Sequence, residues 1–509
     1  MASTVTRESS PASSSNNVAT IAGRGTIYIT AAKLWFMVSG YGIHFILPRL
    51  MTKEDFGIYQ VVVGVVSVIN AVIITGTYQT VSKRVSEDES NAGSVVTTAL
   101  KLQILIGGGA SLAFFLLAPL VASYLNDARL VNYLRLASLI TLAYSFYAVF
   151  TGYFNGRKKF LTQASLDISY SSFKLAFVVL FVWLGLGVMG GIGGFALAAA
   201  SVLTLSFLIA GRGEQVRPVV GRELLQFQSY LLLFTLAINL LQKTDLILVK
   251  ALSSTDPTLA SENAATYGAA INVANITYQA IISATFIIFP LVSEATFAND
   301  RERTKSYVSS TLRYTLIVMA LLATLFSSNS KGVLSLIYPP EYQAGSGALV
   351  VVAYGMLFFG LLYVVTTMIS ASGHPGVSLA IGILTLGLSA ALNWTLIPSR
   401  GLAGAAAATT ISMLAGAVAV CAYVRVEFGA LLSLSSTVRI AGSAGSIYAA
   451  SLLFSPSSKL LIVVKLIALS VCYLALLIIT REVGRNDLRV LSQVASSGDK
   501  KREGNVSAT

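Results

Sequence analysis

The chain has 509 residues, of which 55% are hydrophobic and 11% are charged, whereas about 25% are charged in a typical soluble protein. A helix needs roughly 20 apolar residues to cross a bilayer, so fourteen spans would occupy about 280 residues, or just over half of this chain. These values exclude a soluble enzyme, a disordered protein and a single-span receptor. Because the apolar runs are continuous, they also exclude an outer-membrane β-barrel. The composition predicts an all-α polytopic membrane protein.

In chain order, the apolar runs predict about 14 transmembrane helices. They lie at 26–47, 57–80, 96–122, 131–153, 163–184, 189–210, 227–249, 264–289, 308–328, 345–369, 375–397, 401–424, 437–455 and 459–480. We group these runs into an N-lobe of spans 1–6, a C-lobe of spans 7–12 and two extra C-terminal helices. The predicted regions are a disordered tail at 1–25, the N-lobe at 26–210, a linker at 211–226, the C-lobe at 227–424, spans 13 and 14 at 437–480, and a second tail at 481–509.

The positive charges predict how the chain is oriented in the membrane. If the N-terminus is cytoplasmic, 21 of the 35 Lys and Arg residues lie on inner segments, 7 on outer segments and 7 within spans. Lys and Arg are enriched in cytoplasmic loops, so we expect both termini on the cytoplasmic side of the cell inner membrane. Most of the net charge of +13 is then a topology signal, and nucleic acid is not an expected partner.

Weak internal similarity recurs at about 210 residues. Tyr59 corresponds to Tyr267 and Glu87 to Glu294, and further matches follow in the same order as far as Gly401. Each unit holds six predicted spans, an even number, which returns the chain to the same side. The units are therefore expected to be parallel repeats related by an axis along the membrane normal. Transporters built from repeats bind substrate near the midplane between them, so this pattern favours transport.

Polar stripes mark the spans expected to line a cavity. Polar side chains are costly in lipid, so a stripe of them is expected to face protein or water. Spans 1, 2, 7 and 8, the equivalent pairs of the two halves, each carry one, which predicts a shared hydrated cavity. For any single residue, hydrogen bonding between helices is the alternative. The candidate cavity residues of this type are Asn70, Asn239, Gln242, Asn272, Asn275 and Gln279.

Three lysines, Lys33, Lys174 and Lys243, fall deep within predicted spans. A charge at such depth costs at least about 2.5–3.5 kcal/mol unless it is solvated or paired. The lysines could form internal ion pairs with the nearby Asp167 and Asp245. Alternatively, they could line a cationic cavity for an anionic ligand, since a lysine ammonium is a compact charge well suited to phosphate.

Candidates for ion coupling are Asp167, Asp245 and His44, the last because imidazole titrates near physiological pH. Cys421 and Cys472 lie within apolar runs and show neither disulfide nor metal-ligand spacing. No phosphate-cradling glycine loop and no nucleophile–base motif occurs. We therefore predict a transporter with no catalytic residues, no metal and no cofactor, rather than an enzyme.

Five segments resemble the multidrug/oligosaccharidyl-lipid/polysaccharide exporter (MOP) superfamily, and within it the polysaccharide transporters, including O-antigen and related lipid-linked oligosaccharide flippases. The segments are LPRLMTKEDFGIY at 47–59, TGYFNGRKKF at 151–160, KTDLILV at 243–249, LIYPPEYQA at 336–344 and GLAGAAAA at 401–408. The resemblance covers roughly residues 25–480. It implies two six-helix lobes in a V shape, which export an anionic undecaprenyl-diphosphate-linked oligosaccharide by alternating access for surface polysaccharide biosynthesis.

The resemblance also implies cationic cavity residues, a role that Lys33, Lys174 and Lys243 could fill. The expected partners are the lipid-linked glycan, membrane lipids, a polysaccharide polymerase and glycosyltransferases. Fourteen spans and cavity lysines disfavour the drug-exporting branch, which typically has twelve spans and acidic cavity residues. A lipid II flippase of peptidoglycan synthesis remains an alternative, as do a multidrug or cation antiporter and a non-transporting scaffold.

Overall fold

A computed structural model describes residues 11–211, 233, 235–298, 300–429, 432–456 and 458–484, with the side chains at 11–24, 26 and 283–291 outside this description. Within these ranges the chain is helical apart from turns and short connections, and no strand occurs. Eight of the described helical segments are long and apolar enough to cross a membrane. The all-α polytopic fold is thus confirmed, while the number of fourteen spans and the internal repeat stay predictions.

Eight helices with defined bounds lie in the described part of residues 11–298, besides the short helical stretch at 235–241. They are α1 (Pro11–Ile46), α2 (Lys53–Glu87), α3 (Ala92–Tyr124), α4 (Leu130–Gly156), α5 (Phe160–Phe181), α6 (Gly187–Ala210), α7 (Thr244–Leu252) and α8 (Pro257–Phe297). The start of α2 shows why a helix begins there: Thr52 Oγ1 accepts a hydrogen bond from the Asp55 amide at 3.1 Å. Glu54 and Asp55 in the first turn also suit the positive end of the helix dipole.

Six helices follow in the second part. They are α9 (Arg301–Ser328), α10 (Ser330–Ile337), α11 (Ser346–Ala371), α12 (Pro375–Phe428), α13 (Leu434–Leu452) and α14 (Lys459–Ile479). Short 3₁₀ turns lie at Leu47–Arg49, Glu89–Asn91 and Pro340–Gly345. The predicted spans 11 and 12 both lie within α12.

Glycines break the helical path at or beside two short connections that the sequence predicts, 185–188 and 398–400. A five-residue π-helical turn, Val182–Leu186, joins α5 to α6, and Gly185 within it has a φ of 83°. Gly187 has φ 52° and ψ −138°, and Gly401 within α12 has φ 56° and ψ −134°. Only glycine adopts such angles without strain. The two breaks therefore share one backbone conformation at an offset of 214 residues (401 − 187), close to the period of the predicted repeat.

The first helix begins earlier than the apolar pattern predicts. Residues 1–25 are expected to be a disordered tail, but α1 starts at Pro11. Proline suits the first turn of a helix because its missing N–H would have no partner there. Once an apolar span has nucleated a helix, each further residue adds a hydrogen bond at little entropic cost. These two effects extend the helix into the polar segment 11–25.

The chain divides into two compact units, one of Met1–Gly268 with Asn393–Leu402 and one of Ala269–Leu392 with Ala403–Thr509. The predicted linker 211–226 is not where the units divide, and apart from Gly211 it lies outside the described residues, as does most of the tail 481–509. Span 7 groups with the first unit because it packs on α2. There, a Cβ on Gly64 would lie 3.8 Å from Leu246 Cδ2 of α7.

Small residues allow close packing in the first unit. Gly152 and Gly156 of α4 form a G-x-x-x-G pattern against α2. A Cβ on Gly152 would lie 2.8 Å from the Tyr78 carbonyl oxygen, and a Cβ on Gly156 would lie 2.7 Å from the Ser82 carbonyl oxygen. Helices in lipid associate through such stripes because backbones can approach closely.

In the second unit, Glu482 joins three segments. It is 4% exposed, and its carboxylate accepts hydrogen bonds from Arg313 Nε at 2.9 Å and from the Ser436 hydroxyl. Arg439 lies 3.7 Å away. These contacts fasten the end of α14 to α9 and α13.

Candidate functional site

Lys174 lies on α5, fourteen residues after that helix begins at Phe160. Its Nζ lies 3.8 Å from the centroid of the Phe195 ring of α6, a cation–π contact. The side chain is half-buried. No carboxylate within the described ranges forms an ion pair with it. The sequence-based alternative, an internal pair with Asp167 on the same helix, is therefore not formed.

Lys243 stands at a break in span 7 that the apolar pattern does not reveal. Residues 235–241 are helical, Gln242 and Lys243 form a turn, and α7 begins at Thr244. Lys243 is the N-cap residue of α7, with φ −122° and ψ −14°. A helix N-terminus carries a partial positive charge, and the half-helix ends of interrupted spans point at anionic groups in known transporters. The break thus adds a backbone dipole to the lysine charge.

The stem of Lys243 lies over α2. A Cβ on Gly64 would be 4.0 Å from Lys243 Cδ, so the absent side chain leaves room for the lysine. The charge of Lys243 acts on Lys174, and both lysines act electrostatically on His44. Lys243, like Lys174, has no carboxylate partner within 4.0 Å among the described residues. The first unit therefore brings Lys174, Lys243 and His44 into one positively charged neighbourhood.

Lys33 differs from the other two lysines. It is expected to be buried, but it is exposed, because α1 packs mainly on α5 and leaves its opposite face uncovered. It interacts electrostatically with Asp167. Asp167 in turn accepts a hydrogen bond from the Tyr147 hydroxyl at 2.8 Å. Asp167 thus belongs with Lys33 and Tyr147, and not with Lys174.

An aromatic cluster beside these residues is absent from the sequence-based site. Tyr170 lies 4.9 Å from Tyr144, 6.3 Å from Tyr147 and 6.4 Å from both Phe36 and Phe195, measured between ring centroids. Phe195 also contacts Lys174. The only sequence signal was the tyrosine spacing in α4 and α5, which is indistinguishable from ordinary helix packing.

Two predicted site residues hold buried polar atoms for which the described residues provide no partner. These atoms are Asn70 Oδ1 and His44 Nδ1. Buried polar groups are nearly always satisfied, so each such atom calls for a water or a ligand group. In contrast, Asn239 donates to the Thr235 carbonyl at 2.8 Å, within its own helix. Gln242 lies in the turn that precedes α7.

Asp245 is buried beside the break, at 2% exposure. Its Oδ2 accepts a hydrogen bond from the Tyr267 hydroxyl at 2.8 Å, and its Oδ1 accepts one from the Leu246 amide at 2.7 Å. It also acts electrostatically on Lys243. These contacts give Asp245 a structural role at the start of α7.

The remaining predicted residues lie on α8 in the second unit. Asn272 is buried, while Asn275 and Gln279 are half-buried. Their spacing of three and four residues places them on one helix face.

A charged network that the sequence did not indicate lies at the predicted outer side of the first unit. Lys250 is fully buried. Its Nζ donates to Asp127 Oδ2 and the Pro257 carbonyl at 2.9 Å and to Ser261 Oγ at 2.7 Å. Arg129 bridges Asp127, at 2.9 Å, to Glu54, at 2.6 Å.

Burial alone would raise the pKa of Asp127, but hydrogen bonds from Arg129 and Lys250 outweigh it and hold that pKa below its usual value. The sequence had placed Lys250 in an outer loop. Only the tertiary structure shows that it is paired with a carboxylate more than 100 residues away.

The long apolar helices define a multi-pass membrane protein. Residues 22–296, more than half of the chain, match the family described as polysaccharide biosynthesis protein. The chain belongs to that family. No group of His, Cys, Asp and Glu suited to a metal ion occurs in the part of the chain that the structure describes.

Solved structures of low sequence identity share the fold. A lipid II flippase MurJ in an inward closed conformation has a TM-score of 0.75 at 12% identity, over 90% of this chain and 99% of that one. An inward-facing multidrug resistance MATE family transporter of the MOP superfamily has a TM-score of 0.65 at 14% identity, over 77% and 94%.

A MOP superfamily transporter from Pyrococcus furiosus, whose binding pocket is described as having reverse polarity, has a TM-score of 0.59 at 14% identity, over 80% and 95%. No curated protein matches the chain in sequence. The family match confirms the link to polysaccharide biosynthesis expected from the sequence, and these structures show that the fold is shared with transporters of the MOP superfamily.

Proposed function

We propose that this protein is a flippase that moves an anionic undecaprenyl-diphosphate-linked oligosaccharide across the cytoplasmic membrane by alternating access, for surface polysaccharide biosynthesis. Family membership supports the biosynthetic context. The observation that carries the proposal is the pair Lys174 and Lys243, two lysines within spans with no carboxylate partner among the described residues.

The chemistry of the site suits a diphosphate. A lysine ammonium offers three donors to phosphate oxygens, and the charges of Lys174 and Lys243 act on each other across the site. Removing two cations from water is costly. Since no described carboxylate pairs directly with either lysine, an anionic cargo could supply the missing counter-ion. The aromatic cluster around Tyr170 is largely buried, so it supports Lys174 from behind through Phe195.

In this proposal, binding of the diphosphate biases the protein between inward-open and outward-open states, because the ligand favours the state whose cations it neutralises. The predicted polar residues of α2, span 7 and α8 (Asn70, Asn239, Gln242, Asn272, Asn275 and Gln279) would contact the glycan or its water. Asp167 with Lys33, Asp245 and His44 are the candidates for ion coupling. Both termini are placed in the cytoplasm, and the protein itself performs no covalent chemistry.

A lipid II flippase is the second candidate, favoured by the TM-score of 0.75 to a protein of that name over almost its entire length. Its cargo, too, is a diphosphate-linked lipid, so the same lysines would serve. A multidrug or cation antiporter is less well supported, because Lys174 and Lys243 make the site positively charged and would repel a cationic drug.

Complementation separates these functions. The gene would be introduced into a strain that lacks its O-antigen flippase and, separately, into one depleted of its lipid II flippase. We expect surface polysaccharide to return in the first strain and growth to fail in the second. Lys174→Ala and Lys243→Ala are expected to abolish the rescue and Lys33→Ala to weaken it. Normal rescue by all three variants would refute the role of the cationic site.

A further inference from the structure

A groove on the lipid-facing side of the first unit is separate from the site described above. It has a volume of about 530 Å³ and lies among α3, α4 and α6. Its walls are mostly apolar, with Leu100, Phe150 and Phe207 among the lining residues, and they include a single charged side chain, Lys101.

Lys101 is exposed and forms no ion pair with a carboxylate in the described part of the chain. The other polar lining groups, Thr97 and Thr204, donate to carbonyls of their own helices at 2.9 Å. The groove therefore presents one uncompensated positive charge over an apolar surface.

The depth of the groove corresponds to one leaflet. Helix α3 has 33 residues, or about 50 Å at 1.5 Å each, against roughly 30 Å of hydrocarbon. If the helix is centred, about 10 Å extends beyond each face of the hydrocarbon. Lys101 lies nine residues after Ala92, or about 14 Å along the helix, so its Cα lies about 4 Å inside the boundary. From this depth its ammonium can reach the headgroup level.

The apolar walls lie on the same side of the membrane. Phe146 is ten residues before the end of α4 at Gly156, or about 15 Å, and Leu203 is seven residues before the end of α6 at Ala210, or about 10 Å. If these helices of 27 and 24 residues are also centred, about 5 Å and 3 Å extend beyond the hydrocarbon, so Phe146 and Leu203 lie about 10 Å and 7 Å inside the boundary, deeper than Lys101. The groove thus offers an acyl-chain surface beneath a cation, which matches the order of groups in an anionic phospholipid.

We propose that this groove binds an anionic phospholipid, with its phosphate on Lys101 and an acyl chain along Phe146 and Leu203. By the predicted topology, the lipid belongs to the cytoplasmic leaflet. It is a resident lipid and not the cargo, because its site lies on α3, α4 and α6, whereas the cationic cluster draws on α2, α5 and span 7. This inference stands whether or not the proposed function is correct.

Native mass spectrometry of the detergent-purified full chain tests the proposal with phosphatidylglycerol and phosphatidylcholine at equal mole fraction. One lysine near an anionic lipid surface corresponds to about a fivefold preference. We expect the wild type to retain phosphatidylglycerol about fivefold over phosphatidylcholine and Lys101→Gln to bring this ratio close to one. Lys101→Arg is expected to keep the preference. Lys159→Gln, at an exposed lysine on the same predicted side, is the matched control and should keep the wild-type ratio.

A second variant tests the groove itself. Leu208, 73% exposed at its rim, would fill the acyl-chain surface when replaced by Trp. Leu208→Trp is expected to reduce the retention of both lipids severalfold while Lys101 is still present. The proposal is overturned if Lys101→Gln keeps the wild-type ratio, if Lys159→Gln lowers it equally, or if Leu208→Trp leaves the retention of both lipids unchanged.

Discussion

The Lys174→Met variant distinguishes two possible roles of Lys174, binding the cargo and stabilising the fold. Methionine keeps much of the length of the lysine stem and removes the charge. If Lys174 binds the diphosphate, transport should fall while folding is preserved. If it holds the helices together through an ion pair, the free energy of unfolding should fall as well.

The structure sets the size of both effects. A hydrogen bond to a charged group contributes about 1.5–3 kcal/mol, so losing one to the diphosphate should weaken apparent cargo affinity about 10- to 100-fold. For stability, the variant loses a cation–π contact with Phe195 worth about 0.5–2 kcal/mol. It also avoids about 2.5–3.5 kcal/mol for holding a charge within the membrane. The balance is a net gain of about 0.5–3 kcal/mol, so stability should be unchanged or higher.

Lys250→Met is the contrasting control. Lys250 is fully buried and paired with Asp127 at 2.9 Å, and removing one partner of a buried pair costs about 3–5 kcal/mol. Thermal unfolding in detergent and transport of fluorescently labelled lipid-linked oligosaccharide into proteoliposomes would be measured for both variants. We expect Lys174→Met to unfold at or above the wild-type temperature and transport poorly, and Lys250→Met to unfold at a clearly lower temperature. A Lys174→Met protein that is destabilised as strongly as Lys250→Met would refute the reasoning.

Three further predictions follow from particular contacts. Lys243→Gln should reduce transport about 10-fold or more, whereas Lys305→Gln, at an exposed lysine outside the site, should not; equal transport by the two variants would argue against the helix break as an anion site. Gly57→Ala should destabilise the protein by about 1–3 kcal/mol in thermal unfolding, because the new Cβ would collide with the Ser261 carbonyl oxygen. Gly109→Ala is the tolerated control, since a Cβ at that position meets nothing within 4 Å. Pairing lowers the pKa of Asp127, so the stabilising effect of this carboxylate is present above its ordinary pKa of about 3.9 and is lost as pH falls through the lower folded value. The gap in unfolding temperature between wild type and Asp127→Asn should therefore be constant from about pH 8 to 5 and shrink only below about pH 4. A gap that closes near pH 6 would contradict the pairing.

The sequence predicts the helical membrane fold well, because few backbone structures can span a bilayer and each spanning helix appears in the sequence as a long apolar run. It also locates the breaks near Gly187 and Gly401, since glycine is needed where φ is positive. It does not predict the break before Thr244. The residues there have ordinary helix propensities, and the turn at Gln242 and Lys243 depends on tertiary packing.

The candidate site is predictable in its cations but not in their partners. Depth within a span marks Lys174 and Lys243 as unusual, and the structure brings them together. Sequence spacing suggested Asp167 as a partner for Lys174. In the structure, that carboxylate instead accepts a hydrogen bond from Tyr147 of α4 and interacts electrostatically with Lys33 of α1. Similarly, Lys250 next to a predicted loop resembles a surface charge, and only its distant contact with Asp127 shows that it is buried.

Transport of a charged cargo against its neutral counterpart tests the central claim most directly. Purified protein in proteoliposomes would be given the same glycan on undecaprenyl diphosphate or on a neutral polyprenyl carrier, and transfer between leaflets would be measured. We predict transfer of the diphosphate-linked glycan above protein-free vesicles, little transfer of the neutral one, and loss of this difference in a Lys174→Met and Lys243→Met double variant. Equal transfer of both carriers by the wild type, or a double variant that still prefers the diphosphate, would contradict the account.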